Sequence, residues 1–125
     1  MRKASHMAKH DLQLDRLFHA LADPTRRGIV ERLLTGPASV TDLAQPTGMA
    51  LPTVMKHIAV LESSGLVATE KTGRTRLCRV TPAPLEHVQG WIEQQRAQWE
   101  ARLDRLEDYL ITLMKERRDG PRSED

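Results

Sequence analysis

Apolar positions first recur at helical spacing in Leu14, Leu17, Phe18 and Leu21, the i, i+3, i+4, i+7 pattern of an amphipathic helix over residues ~11–22. Asp11 is placed to cap it. Asp23-Pro24 then restarts the chain: Asp suits an N-cap, and Pro suits the first helical position, where its missing N–H costs nothing. Val30, Leu33 and Leu34 supply the buried stripe of a second helix that ends at Gly36-Pro37, and Gly28 within it is expected to allow close packing. Ser39-Val40-Thr41-Asp42 loosely matches the Ser-x-x-acid start signal, with Val40, Leu43 and Ala44 facing inward on a short third helix. Pro46-Thr47-Gly48 breaks that helix. Pro52 opens a fourth whose inner face is Val54, Ile58 and Leu61, and Gly65 followed by apolar Leu66 closes it in the left-handed manner. Residues ~39–64 therefore read as a helix-turn-helix.

Two short runs follow, Leu66–Glu70 and Arg76–Val80, flanking Lys71-Thr72-Gly73-Arg74-Thr75, where glycine provides the positive φ of a hairpin turn. A helix-turn-helix followed at once by a basic hairpin is a winged helix, so the expected class is mainly α with a small β-hairpin. Thr81-Pro82-Ala83-Pro84 closes the wing, and a long helix runs from ~Leu85 to ~Arg117. On it Ile92, Trp99, Leu103, Leu106, Leu110 and Leu113 make a heptad-like seam. A helix of roughly 30 residues spans ~45 Å, more than a small domain can cover. The seam therefore asks for a partner, and the simplest is the same helix of a second copy, with Leu14, Leu17 and Phe18 of the first helix joining the interface. An intramolecular hairpin with the first helix is the competing arrangement, and that helix is short for the task.

At 125 residues the chain suits one domain, expected at residues 11–118, between a vector-derived leader over 1–10 (Met1-Arg2-Lys3-Ala4-Ser5-His6-Met7 ends in a restriction-site His-Met) and a disordered tail over 119–125. With one Phe, one Tyr and two Trp, its core has to be built from aliphatic side chains. No stretch approaches the ~20 apolar residues of a membrane helix, so a cytoplasmic protein without membrane contact is expected. Cys78 is the single cysteine, which rules out an intrachain disulfide or a thiolate cluster. A net charge of +2 is too mild to imply nucleic acid. Its distribution is more telling: Lys71, Arg74, Arg76 and Arg79 stand in nine residues without an acid, whereas Glu86–Asp119 carries six bases against eight acids.

The fourth helix combines with this basic hairpin. With Val54, Ile58 and Leu61 inside, Pro52, Thr53, Lys56 and His57 fall on the N-terminal half of the outer face, the part of such a helix that meets base edges in the major groove. Lys71, Arg74 and Arg76 on the wing would reach phosphate or the minor groove. Ala50 and Leu51 offer no polar cap before Pro52, so the first N–H donors of the helix would be left for a phosphate. Double-stranded DNA and a second copy of the chain are thus the expected partners, without a cofactor or metal. Several residues read two ways: Met55 as core support or as a contact to a thymine methyl, and Arg26 and Arg27 as phosphate ligands or structural pairs. Trp91 and Trp99 could pack an interface or line a pocket for a small-molecule effector. Cys78 could be a plain strand residue or a thiolate sensor activated by Arg76 and Arg79. An enzyme would need a nucleophile with its base, and Ser63, Ser64, Cys78 and His57 come with no phosphate loop, zinc signature or nucleophile elbow. A winged helix that binds protein rather than DNA is the remaining alternative.

Leu17-Phe18-His19-Ala20-Leu21-Ala22-Asp23-Pro24-Thr25-Arg26-Arg27 and the run Leu51-Pro52-Thr53-Val54-Met55-Lys56-His57-Ile58 through Leu66-Val67 together resemble the ArsR family of bacterial winged-helix repressors over residues 12–113. The tail, with Trp91, Trp99 and Tyr109, is similar to a metal-independent branch. The resemblance implies a homodimer joined by its first and last helices that binds a palindromic operator and usually represses. Metal-sensing members carry a Cys-x-Cys pair on the third helix where this chain has Val40-Thr41-Asp42-Leu43. Their other site needs paired Asp and His ligands on the last helix, where His87 has no second histidine downstream and Glu86 and Glu93 are surface acids.

Overall fold

The computed structural model describes residues 11–119; the expected leader, and the expected tail beyond Asp119, lie outside them. In chain order the elements are α1 (Leu12–Leu21), α2 (Pro24–Leu33), β1 (Ala38–Ser39), α3 (Val40–Ala44), a 3₁₀ turn (Gln45–Thr47), α4 (Leu51–Ser63), β2 (Val67–Thr72), β3 (Thr75–Val80) and α5 (Pro82–Asp119). The last helix extends past both expected ends, starting on Pro82 and still helical at Asp119. Among the described residues no helix is long and apolar enough to cross a membrane. The contacts divide the chain into one unit up to Val88 and a second from Gln89 onward.

In the first unit, side chains stop and start the helices as their chemistry dictates. Asp11 Oδ1 accepts the Leu14 N–H at 3.1 Å, and Asp23 Oδ2 accepts from the Thr25 and Arg26 amides at 2.8 and 3.1 Å. N–H donors bind the ionised form, so both carboxyls titrate below their ordinary value, chiefly through Leu14 at Asp11 and through Arg26 at Asp23. Ser39 Oγ caps α3 through the Asp42 amide at 3.1 Å. Gly65, at φ 86°, ends α4 in a Schellman motif: its N–H goes to Glu62 O and that of Leu66 to Leu61 O.

Leu17, Leu33, Val54, Leu61, Leu66 and Cys78 form the deepest part of the core. Leu14 and Leu17, expected at a dimer interface, are buried inside their own unit, Leu17 completely. α1 has two flanks, and the one bearing these leucines packs toward α2 and α4; Phe18, at 41% exposure, and Leu12 are the large apolar side chains that the helix leaves exposed. Leu34, expected in the α2 stripe, is exposed, and Ile29 takes its place. Gly28 supports no close packing, because a Cβ there would meet nothing within 4 Å. It instead borders a cleft of about 340 Å³ lined by Thr25, Ile29, Arg32, Leu43 and Met49.

The sheet has three strands in the order β1-β3-β2, all antiparallel, with Ala38 opposite Cys78 and Thr72 opposite Thr75. The hairpin strands run further than expected, leaving only Gly73 and Arg74 in the loop. Gly73 has φ 65° while Arg74 keeps a negative φ, the pattern of a type II′ turn whose twist matches the strands. The two-residue β1 has no sequence signal; it exists because β3 offers it a backbone edge.

The second unit is the rest of α5. Every described residue from Gln89 to Asp119 is exposed, Ile92, Trp99, Leu103, Leu106, Leu110 and Leu113 among them.

Candidate nucleic-acid interface

The turn ahead of α4 is set by Thr47 and Gly48. Thr47 Oγ1 donates to Ala44 O at 2.7 Å and accepts from the Met49 N–H at 3.0 Å, while Gly48 adopts the left-handed φ of 68° that reverses the chain. α4 then buries Val54, Ile58 and Leu61 and turns Pro52, Thr53 and Lys56 outward, as expected. Its start has no side-chain cap, as expected from Ala50. Pro52 has no N–H, and the Thr53 and Val54 amides both donate to Ala50 O, at 3.0 and 3.2 Å.

Three edges of α4 have different surroundings. Pro52, Lys56 and Ala59 lie opposite the buried stripe. On one flank His57 faces the body of the unit, where its Nδ1 lies 3.3 Å from Arg26 Nη1 and 3.9 Å from Asp23 Oδ2. With its side chain 18% exposed, His57 departs from the expected base-reading role: it is first a strut between α4 and the start of α2. Arg26 carries that strut to α1 by donating from Nε to Ala20 O at 2.8 Å and from Nη2 to His19 O at 2.9 Å. Arg27 Nη1 donates to Leu21 O at 2.7 Å. The two arginines thus bind carbonyls in the last turn of α1, of which that of His19 also accepts the Ala22 N–H, a structural use directed at backbone rather than acids.

On the other flank, Glu62 Oε2 accepts from Thr69 Oγ1 of β2 at 3.0 Å, which ties the wing to α4. Arg76 Nη1 donates to the same Thr69 hydroxyl at 3.0 Å. Arg76 pairs with Lys71 next to the hairpin end, but its guanidinium is folded back over the sheet onto Thr69. Lys71 and Arg74 are exposed at the tip, and neither they nor Lys56 engages another described residue through its side chain. Arg79 is held by Glu70 at 3.5 Å.

The two-way readings of Met55 and Cys78 divide: Met55 departs from core support, whereas Cys78 agrees with a plain strand residue. Met55 is 46% exposed on the wing-side flank of α4, so it is not core support. Cys78 is fully buried against β1, and burial pushes its thiol up, opposite to what a thiolate sensor requires. Among the described residues no three His, Cys, Asp or Glu side chains come together as a metal site.

A helix-turn-helix domain model matches residues 21–70, the stretch from the end of α1 into the wing. The HTH-type transcriptional regulator Rv2034 of Mycobacterium tuberculosis is 42% identical over 71 residues, 57% of this chain; the chain spans 66%, just under two thirds, of that relative's length. The crystal structure of the ArsR family transcriptional regulator RHA00566 is similar at a TM-score of 0.69 and 50% identity, covering 70% of this chain and 97% of that one. The homodimeric winged helix-turn-helix domain of Mb0332 from Mycobacterium bovis, a possible ArsR-family regulator, is similar at a TM-score of 0.54 and 28% identity over 83% of this chain and 90% of that one. With half of its aligned residues shared with a solved regulator that it covers almost end to end, and with the helix-turn-helix and wing in place, the chain belongs to the ArsR family of winged helix-turn-helix transcriptional regulators.

Proposed function

We propose that the protein is a sequence-specific repressor that binds a palindromic operator in double-stranded DNA as a homodimer, in the bacterial cytoplasm. The observation that carries this reading is a group of unengaged cations on α4 and the wing: Lys56 on the outer edge of α4 and Lys71 and Arg74 at the end of the hairpin. Lys56, with Thr53 and Pro52 beside it, enters the major groove, where an ammonium donates to guanine O6 and N7. Arg74 and Lys71 neutralise phosphates and add affinity with little sequence information. His57 and Arg76 hold α4 and the wing in place for those contacts.

Dimerisation is supported by the exposed seam of α5 and by Phe18, and Mb0332 is itself described as homodimeric. A small effector that released the operator would find a cavity of suitable size in the cleft beside Gly28.

The test is an anisotropy titration against a duplex from the protein's own promoter region at several salt concentrations. Lys56→Ala should cost about 1–3 kcal/mol on the operator and little on random duplex. Arg74→Ala should weaken both and flatten the salt slope by about one unit. Half-sites should be protected about 10 bp, or a multiple of that, apart. If both variants bind like the parent, these residues do not form the interface. Absence of salt-dependent duplex binding would instead favour a protein-binding winged helix.

A further inference from the structure

Leu51 and Met55 stand one turn apart on the wing-side flank of α4 and are 44% and 46% exposed. Burial in the unit's own core does not account for them: that role belongs to Val54, Ile58 and Leu61 on the neighbouring face of the helix. Glu62, on the same flank two turns further along, binds Thr69 of the wing, so the two apolar side chains lie toward the corner between the reading helix and the hairpin. Lys56 is their neighbour on the outer edge, and the unengaged wing-tip cations Lys71 and Arg74 lie on the hairpin. An apolar pair beside cations positioned for a polyanion is placed to meet an apolar group carried by that polyanion. In duplex DNA the base edges of the major groove offer one such group, the C5-methyl of thymine.

We propose that Leu51 and Met55 form a methyl-reading edge that makes this protein select thymines at one or two positions of each half-site, next to the base pair contacted by Lys56. The inference rests on the DNA-binding reading above and adds to it which bases are chosen, and by what chemistry. Leu51 lies in the first turn of the helix, the part that approaches base edges most closely. Met55 has an unbranched, polarizable side chain that can follow a methyl group whose position varies slightly between steps.

Removing the methyl while keeping every hydrogen-bonding group provides the test. A preferred duplex is first selected by the full-length protein from a random library. Each thymine in it is then replaced by deoxyuridine, and affinities are measured by anisotropy for the parent, Leu51→Ala and Met55→Ala, with circular dichroism as a check on folding. Burial of one methyl is worth about a four-fold change in affinity, ~0.8 kcal/mol. Deoxyuridine at the read position should weaken the parent by about that factor. Met55→Ala or Leu51→Ala should bind the thymine and deoxyuridine duplexes equally, while Lys56→Ala keeps the difference. If the parent ignores the substitution everywhere, or if both variants remain as methyl-sensitive as the parent, the methyl-reading edge is wrong while operator binding stands. If the library yields no preferred duplex, operator binding falls and this proposal with it.

Discussion

The two units handle the same apolar residues in opposite ways. In the first, leucines and valines at helical spacing disappear into a shared core: Leu17, Leu33, Val54 and Leu61 are out of contact with water. In the second, leucines at equally regular spacing on α5 all remain exposed. Apolar periodicity therefore specifies that a face needs covering and says nothing about whether the cover lies in the same chain. A core face draws its neighbours from segments joined by short turns. A seam on a helix of 38 residues outruns them, since the exposed stretch alone approaches the ~45 Å that no small domain spans.

The most severe way to break that comparison is to charge the seam. Leu103→Glu with Leu110→Glu should convert a dimer to a monomer in sedimentation velocity. Operator affinity should fall about 100-fold or more, because one half-site no longer benefits from the other. The ellipticity of the first unit should survive. Leu61→Ala is the counterpart in the core: it should cost about 2–5 kcal/mol in denaturant titrations by leaving a cavity, with the oligomeric state unchanged while the protein is folded. If the seam variant stays dimeric, the exposed face of α5 is not the interface.

A smaller effect distinguishes capping from packing. Asp23→Ala removes the acceptor for the Thr25 and Arg26 amides and should lower Tm by about 5 °C, with operator affinity also reduced as His57 loses the Asp23 side of its strut. Asp11 and Asp23 both titrate below the ordinary 3.8, so their contribution is complete above that value and fades as pH falls through the depressed values. The parent should therefore lose stability more steeply than Asp23→Ala in an acid titration below about pH 4. Parallel curves would mean that the cap contributes nothing to the acid limb.

The smallest effect has the opposite sign. Gly28→Ala fills open space on a helix of ordinary backbone and should stabilise the first unit by about 0.5–1 kcal/mol. A loss of stability there would show that the glycine has a packing role after all.

Much of the fold was legible because it depends on local rules. Asp11, Asp23 and Ser39 announce helix starts, Gly65 announces a stop, and Val54, Ile58 and Leu61 mark an inner face whatever lies opposite. The outward placement of Pro52, Thr53 and Lys56 follows from that inner face by the geometry of one helix. Sequence alone could not tell that Leu14 and Leu17 would be spent on the subunit's own core, that Ala38 and Ser39 would join β3, or that Arg26 would reach back to the carbonyls of His19 and Ala20. Nor could it separate His57, braced against Asp23 and Arg26, from Lys56 beside it, or Arg76, folded onto Thr69, from Arg74 at the tip. These outcomes depend on which distant groups arrive within about 3 Å of one another. Helix starts, stops and faces are governed by interactions a few residues apart, which the order of residues records directly. The partners of a long side chain are chosen only after the helices and strands have been brought together.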